Sequence, residues 1–372
     1  MSFKIELSQS QEERALRLHR EAIVVDTHSD TLMQLIPQAR GAAITPTGGP
    51  TTPQARGATT PPAGGARRQG PRKLGERSET GKIDVPRLIE GGVTCQAFGM
   101  YTASIPDNPM ALKTSLQMVD AFYTGIEENK DKIVQVRDYD EILKAKQSGK
   151  VGCMLTIEGA EPLMGDLGIL RVFHRLGVRI LSFTHNYRTE FADGLSAART
   201  GGKLTPKGLE AMEEMRRLGI VLDASHITDA CFWDVVENTK VPFIASHSNS
   251  RELCNVSRNL TDDMLRALAE KGGVTGMNYL GGFVVPREKT MAGYQTTVED
   301  LVDHIDHIVK VVGPDYVGLG SDFDGGGGMV GLEDTSKVPN ITRILVKRGY
   351  SDEDIKKILG GNHLRVFKQV IK

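Results

Sequence analysis

The sequence predicts a (β/α)₈ barrel: eight parallel strands closed into a ring, wrapped in helices, with a low-complexity insertion after the first strand. Three observations predict it. Eight short runs rich in Val, Ile, Leu and small residues recur along the 372 residues, many separated by amphipathic helical stretches. Each run is apolar nearly throughout, as a strand covered on both faces must be. The unusual polar residues fall at the C-terminal ends of these runs, the side on which such barrels carry their chemistry. A doubly wound open sheet would show the same strand count, but no GxGxxG follows the first run as its dinucleotide-binding version requires.

The first run is IVVDTH from Ile23. After it the composition changes sharply. From Pro37 to Lys73 the chain is mostly Pro, Gly, Ala, Thr and Arg, and Ile44 is the one large apolar residue. PQARGA occurs at Pro37–Ala42 and again at Pro53–Ala58, and Arg40, Arg56, Arg67, Arg68, Arg72 and Lys73 have no acidic counterpart. Such a stretch buries too little apolar surface to offset its ordering entropy, so residues 37–75 read as a flexible insertion within one domain spanning 1–372. A basic lid over a site for an anionic group is the sharper alternative.

Seven further runs follow: VTCQAFGMY from Val93, VGCMLTIEG from Val151, VRILSFTH from Val178, IVLDASH from Ile220, VPFIASH from Val241, GVTGMNYL from Gly273 and YVGLGSDFDG from Tyr316. Helices between them are well marked. TPKGLEAMEEMRRLG offers a Thr cap, Pro in the first turn and a closing Gly, and TDDMLRALAEKGG begins on Thr-Asp-Asp and closes on Gly.

Bulk properties narrow the function. Apolar residues make up 39% and charged residues 25%, which describes a water-soluble globular protein. The formal net charge of −1 provides no global field for nucleic acid, and no apolar run is long enough for a membrane span. The charged, helix-like start MSFKIELSQSQEERALRLHREA is unlike an export signal, so a cytoplasmic location is expected. Cys95, Cys153, Cys231 and Cys254 are widely spaced, which supports neither disulfides nor a cysteine zinc site.

The chemistry is concentrated in seven residues. His28 and Asp30 follow the first run, Glu158 the third, His185 the fourth, His226 the fifth, His247 the sixth and Asp322 the eighth. In a barrel these ends converge in one bowl. Gly318 and Gly320 are expected to leave open the space before Asp322. Histidines with carboxylates suit zinc or a similar divalent ion, and the set is too large for one open catalytic metal, which takes about three protein ligands. Two metals sharing a carboxylate fit the count. Singly, each residue has a plainer reading as a structural histidine, a capping Asp or a paired Glu. Those readings would have to hold independently at six strand ends. His304 and His307 lie in a helix that should sit on the outer ring, and His19, His174 and His363 sit in helical patterns; structural roles are expected for all five. GSDFDGGGG lacks the GK[ST] of a phosphate loop, and no G-x-S-x-G surrounds Ser246 or Ser248.

At these residues the chain resembles the membrane dipeptidase (renal dipeptidase) family, in its soluble bacterial form. The matching stretches are VVDTHSDTL, IDVPRLIEGGV, TIEGAEPL, LSFTHNYRTEFADG, LDASHITDACFWDVV, FIASHSNSREL, SRNLTDDMLRALAEKGG and VGLGSDFDG, in family order from about Ile23 to Phe367. The resemblance implies a barrel with two zinc ions. It implies that His28 and Asp30 bind the first zinc, that His226 and His247 bind the second, and that Glu158 bridges both. It places His185 against the substrate near the scissile carbonyl, Arg258 on the substrate's terminal carboxylate and Asp322 beside the bridging water, so that Asp322, His185 and Glu158 are catalytic. The implied reaction is hydrolysis of dipeptides by a hydroxide held between two zinc ions, and the implied assembly is a homodimer. Export signals, disulfides and a lipid anchor signal, found in animal members, have no counterpart here, and the insertion is not a family feature. The nearest enzymatic rival is a related two-metal hydrolase of N-acyl amino acids, lactams or other small amides. A degenerate, non-catalytic binding barrel should have lost a ligand, and none is missing.

Overall fold

The computed structural model describes residues 3–37, 71–102 and 108–372. Most of the predicted insertion, with both PQARGA copies beyond Pro37, Ile44, Arg40, Arg56, Arg67 and Arg68, lies outside the described residues. Nine strands are present: β1 (Val25–Asp26), β2 (Cys95–Tyr101), β3 (Ile133–Gln135), β4 (Val151–Glu158), β5 (Val178–Ser182), β6 (Val221–Asp223), β7 (Ile244–Ala245), β8 (Val274–Met277) and β9 (Val317–Leu319). Eight of them close into a ring in which every pairing is parallel. β1 joins β2 on one side and β9 on the other, β2 joins β4, and β4 to β9 pair in sequence. This is the predicted (β/α)₈ barrel. The ninth strand, β3, was not among the eight expected runs. It pairs with residues 151–153 of β4, while β5 takes the same edge from Leu155 onward.

The helices form where their caps dictate. Thr205 accepts from the Gly208 amide at 3.0 Å, Pro206 opens the helix Pro206–Leu218, and Gly219 closes it at φ 78°. Thr261 likewise accepts from the Met264 amide at 3.2 Å and starts Asp262–Glu270. Each such cap contributes about 1 kcal/mol and, more usefully here, sets where the chain leaves the barrel rim. Among the described residues no helix is long and apolar enough to cross a membrane.

The barrel floor is a second apolar cluster, separate from the layer between strands and helices. Val25, Cys95, Met154, Ile180, Val221, Ile244 and Val274, one from each of seven ring strands, meet Leu364, Val366 and Phe367 of the C-terminal helix Asn362–Val370. The eighth strand contributes Gly318, and there the sequence expectation fails. A side chain at Gly318 would collide with the His363 ring, which occupies that space, and one at Gly320 would collide with the Ser246 carbonyl. These glycines do not leave open room before Asp322. They admit close neighbours, which is the other reason a strand carries glycine.

The five remaining histidines lie outside the group at the strand ends. His304, 1% exposed, accepts the Ser250 amide at Nδ1 (3.1 Å) and donates from Nε2 to the Val284 carbonyl (2.8 Å), tying two rim loops together. His307 pairs with Asp262 at 2.7 Å, and His19 contacts Thr342 Oγ1 and the Gly91 carbonyl at 2.7 and 2.8 Å. His174 lies on the outer helix Leu167–Arg175 and His363 in the floor.

Candidate metal centre

All seven polar residues at the strand ends come together. The ligand atoms of His28, Glu158 and His247 lie within 4.8 Å of one another, as do those of Glu158, His185 and His226, and those of His28, Asp30 and Asp322. Three overlapping triads therefore account for every member. Glu158 sits between the halves: Oε1 is 3.0 Å from His226 Nε2 and 3.3 Å from His247 Nε2, while Oε2 is 3.6 Å from His28 Nε2. His28 Nε2 is also 3.7 Å from Asp30 Oδ1. The His28 and His247 rings stack at 3.8 Å, and His185 lies tilted against His226 at 4.1 Å.

The centre is held under backbone strain. His226 (φ 71°) and Asp322 (φ 57°) are in the left-handed region, which costs on the order of 1–3 kcal/mol for a residue other than glycine. Neighbouring chain offsets that cost. The Asp322 amide donates to the His28 carbonyl at 3.2 Å and the Asp30 amide to the Phe323 carbonyl at 3.0 Å, locking the last strand end to the first. Gly325 packs so closely on the Asp30 and Asp322 carboxylates that a methyl group there would displace both.

The residues present fit a divalent ion. His28 Nε2, Asp30 Oδ1, Glu158 Oε2 and His185 Nδ1 are buried and have no hydrogen-bond partner among the described residues. His226 and His247 turn their Nε2 atoms toward each other at 3.0 Å beside the same carboxylate oxygen. Buried polar atoms left unpaired cost about 1–3 kcal/mol each, more when charged, so a cluster of them converging on a point calls for a cation. Nitrogen and carboxylate oxygen are the donors zinc takes.

Electrostatics agree. Burial, then the Arg258 charge, pushes His28 down to about 3, and burial with Arg258 and His28 does the same to His185, so both rings are neutral. His226 and His247 are held well below the usual histidine range by burial first. Asp30 and Glu158 are pushed well above the carboxylate range, by burial and then by neighbouring carboxylates. Burial raises Asp322 to about 6 against the opposing pull of Asn278 and Arg258. In the metal-free protein these three acids therefore hold protons that an unfolded chain has released. Above about pH 6.5, where these four histidines are neutral folded and unfolded alike while Asp30 and Glu158 still hold protons, stability without divalent ions should fall as pH rises, and added zinc should remove that fall. Thermal melts across that range, with and without a chelator, check the sign; a metal-free protein that gains stability with pH would contradict it.

Sequence reasoning left two ring strands without a polar residue, and the structure supplies both. Asn278 follows β8 and donates from Nδ2 to Asp322 Oδ2 at 3.0 Å. Tyr101 ends β2 and packs edge-on against the His185 ring at 4.7 Å. Arg258, 4% exposed, donates to Ser248 Oγ (3.2 Å) and the His247 carbonyl (3.0 Å), lies 5.4 Å over the Phe283 ring and keeps Nε unpartnered. At the mouth, Asp324 accepts from Thr31 Oγ1 (2.8 Å), the Lys82 amide (2.7 Å) and Arg72 (3.2 Å), so Arg72, from the end of the predicted insertion, is anchored beside the site.

A closed parallel barrel with buried histidines and carboxylates gathered at the C-terminal ends of its strands defines a barrel metalloenzyme. The sequence matches the membrane dipeptidase family (peptidase family M19) over residues 12–372, and the chain belongs to that family of metallopeptidases. It is 31% identical over 300 residues to the dipeptidase tcpJ of Claviceps purpurea, covering 78% of this chain and 69% of that protein. It is 34% identical over 311 residues to an uncharacterized dipeptidase of Schizosaccharomyces pombe, covering 79% and 73%. Among solved structures, a metallopeptidase from Rhodobacter sphaeroides bound to a phosphinate mimic of the dipeptide L-Ala-D-Ala superposes with a TM-score of 0.79 at 25% identity, over 94% of this chain and 100% of that one. The probable dipeptidase PvdM of Pseudomonas aeruginosa shares the fold at a TM-score of 0.79 and 22% identity, over 98% and 99%.

Proposed function

We propose that this chain is a two-zinc dipeptidase that hydrolyses the peptide bond of short substrates bearing a free C-terminal carboxylate. The observation that carries the reading is the position of Glu158, whose Oε1 faces His226 and His247 and whose Oε2 faces His28. His28 and Asp30 would hold one ion, His226 and His247 the other, and Glu158 both. When bound, such a pair of ions lowers the pKa of a shared water toward neutrality and polarises the substrate carbonyl.

The rest is the work of side chains. Asp322, raised to about 6, is matched to accept a proton from water near neutral pH and return it to the leaving amine. His185, neutral and flanked by Tyr101, offers a hydrogen bond to the oxygen on which negative charge develops. Arg258 is desolvated and its Nε is free, so it can accept a carboxylate that neutralises its buried charge. The Rhodobacter sphaeroides relative, bound to a dipeptide mimic, supports a dipeptide as the substrate class.

Metal analysis with a dipeptide panel tests the whole reading. About two zincs per chain and chelator-sensitive dipeptide hydrolysis are expected. Bound metal without dipeptide turnover would move the substrate to another small amide, such as an N-acyl amino acid or a lactam, and a folded protein with no metal would remove the centre itself. Arg258→Lys tests substrate recognition. KM for dipeptides should rise roughly 10–100-fold with a smaller change in kcat, since a bidentate charged contact is worth about 1.5–3 kcal/mol. C-terminally amidated dipeptides should be poor substrates of the wild type and should lose no further ground in the variant.

A further inference from the structure

We infer that Asp223 and Ser246 form a relay that fixes the ring proton of His247 on Nδ1 and so keeps Nε2 bare toward Glu158 and His226. The inference rests on the reading above only for what the bare nitrogen is used for. The relay itself is a matter of donors and acceptors.

Asp223 ends β6 and Ser246 follows β7, the neighbouring strand. Asp223 Oδ1 accepts the backbone amides of Ser225 (2.9 Å) and Ser246 (2.8 Å). Oδ2 accepts the Ser246 hydroxyl at 2.5 Å, and Ser246 Oγ is 2.7 Å from His247 Nδ1. Asp223, Ser246 and His247 are 4%, 1% and 1% exposed, so water does not compete for these positions. A carboxylate can only accept, and a hydroxyl has one hydrogen. Ser246 therefore spends its hydrogen on Asp223 and must receive one from His247 Nδ1. The ring is left with its lone pair on Nε2, where a metal ligand needs it. His226 has no such chain behind it: its Nδ1 faces the neutral amide oxygen of Asn186 at 3.3 Å. Asp223 and Ser246 are thus positioning residues, and neither belongs to the seven that gather at the strand ends.

Two substitutions act differently on this chain of bonds. Asp223→Asn is nearly isosteric and keeps an oxygen for the two backbone amides. Its NH₂ group replaces Oδ2 and donates to Ser246, which then turns its hydrogen onto His247 Nδ1 and drives the ring proton to Nε2. Ser246→Ala removes the link, keeps the anchoring of Asp223 and frees the ring to populate both forms. The experiment is ¹⁵N NMR of histidine-labelled, metal-free protein, with zinc affinity measured by competition against a chromophoric chelator. The wild type should show His247 with its proton on Nδ1, Asp223→Asn on Nε2, and Ser246→Ala a mixture. Zinc affinity should fall about 100-fold in Asp223→Asn and about 10-fold in Ser246→Ala, the range over which outer partners of metal-binding histidines act. A purely structural role would leave the tautomer unmoved. The wild-type tautomer and wild-type zinc affinity in Asp223→Asn, or in Ser246→Ala should the first variant fail to fold, overturn the relay. A tautomer switch in a protein without zinc affinity sustains the relay and overturns the metal centre instead.

Discussion

Glu158→Gln is expected to reduce dipeptide hydrolysis by on the order of 10⁴-fold, about 5 kcal/mol of transition-state stabilisation. The reason is geometric. Glu158 is the one carboxylate that faces both halves of the centre, with His226 Nε2 at 3.0 Å, His247 Nε2 at 3.3 Å and His28 Nε2 at 3.6 Å. Glutamine preserves shape but offers one neutral oxygen where two charged ones stood. Metal content should fall together with activity. Stability should change in opposite directions according to metal. Wild-type Glu158 is pushed well above the carboxylate range by burial and by Asp30 and Asp322, so the metal-free fold must take up a proton that the unfolded chain has released, which destabilises it at neutral pH. The metal-free variant should therefore melt higher than the metal-free wild type at neutral pH, and the zinc-loaded variant should melt lower than the loaded wild type. Calorimetry of four samples decides the matter. A variant that loses activity yet melts lower in both states would mean Glu158 serves the fold rather than the metal.

Asp322→Asn should lower kcat by roughly 10²–10⁴-fold while leaving zinc content near that of the wild type. Asparagine is the right replacement here for a backbone reason. Asp322 sits at φ 57°, and Asn is among the few residues that tolerate the left-handed region, so the strand end keeps its course. What is lost is the ability to hold a proton reversibly. The carboxyl stands at about 6 through burial, partly offset by Asn278 Nδ2 at 3.0 Å and by Arg258. Bound cations pull it lower. The wild-type rate should accordingly rise with pH along an acidic limb at or below about 6, and the variant's residual rate should lack that limb. Loss of zinc in parallel with loss of rate would recast Asp322 as a ligand, a role its closeness to His28 and Asp30 makes worth checking.

Much of this is legible in the sequence. Strand runs that are apolar on both faces are visible to the eye, and the residue that ends each run is known once the run is known. His28, Asp30, Glu158, His185, His226, His247 and Asp322 could be collected in that way because a closed barrel brings all its strand ends to one side. Thr205, Pro206 and Gly219 likewise announce a helix through bonds that reach only three or four residues along the chain. The short strand β3 escaped because IVQV is too brief to distinguish from a buried turn.

The remaining features depend on which strand lies beside which, and at what register. Asn278 is an unremarkable polar residue after β8 until β9 brings Asp322 within 3.0 Å. Gly318 looks like vacant space until the C-terminal helix, more than forty positions later in the chain, places His363 there. Asp223 and Ser246 are separated by more than twenty residues and meet because β6 and β7 pair at Asp223 and Ile244. The sequence by itself determined the eight ring strands, the capped helices and the polar residues that end the strands, since those follow from local periodicity, capping and position within a run. Tertiary structure alone decided which lone pair faces which proton, because hydrogen bonds are settled over tenths of an ångström between residues that the chain keeps far apart.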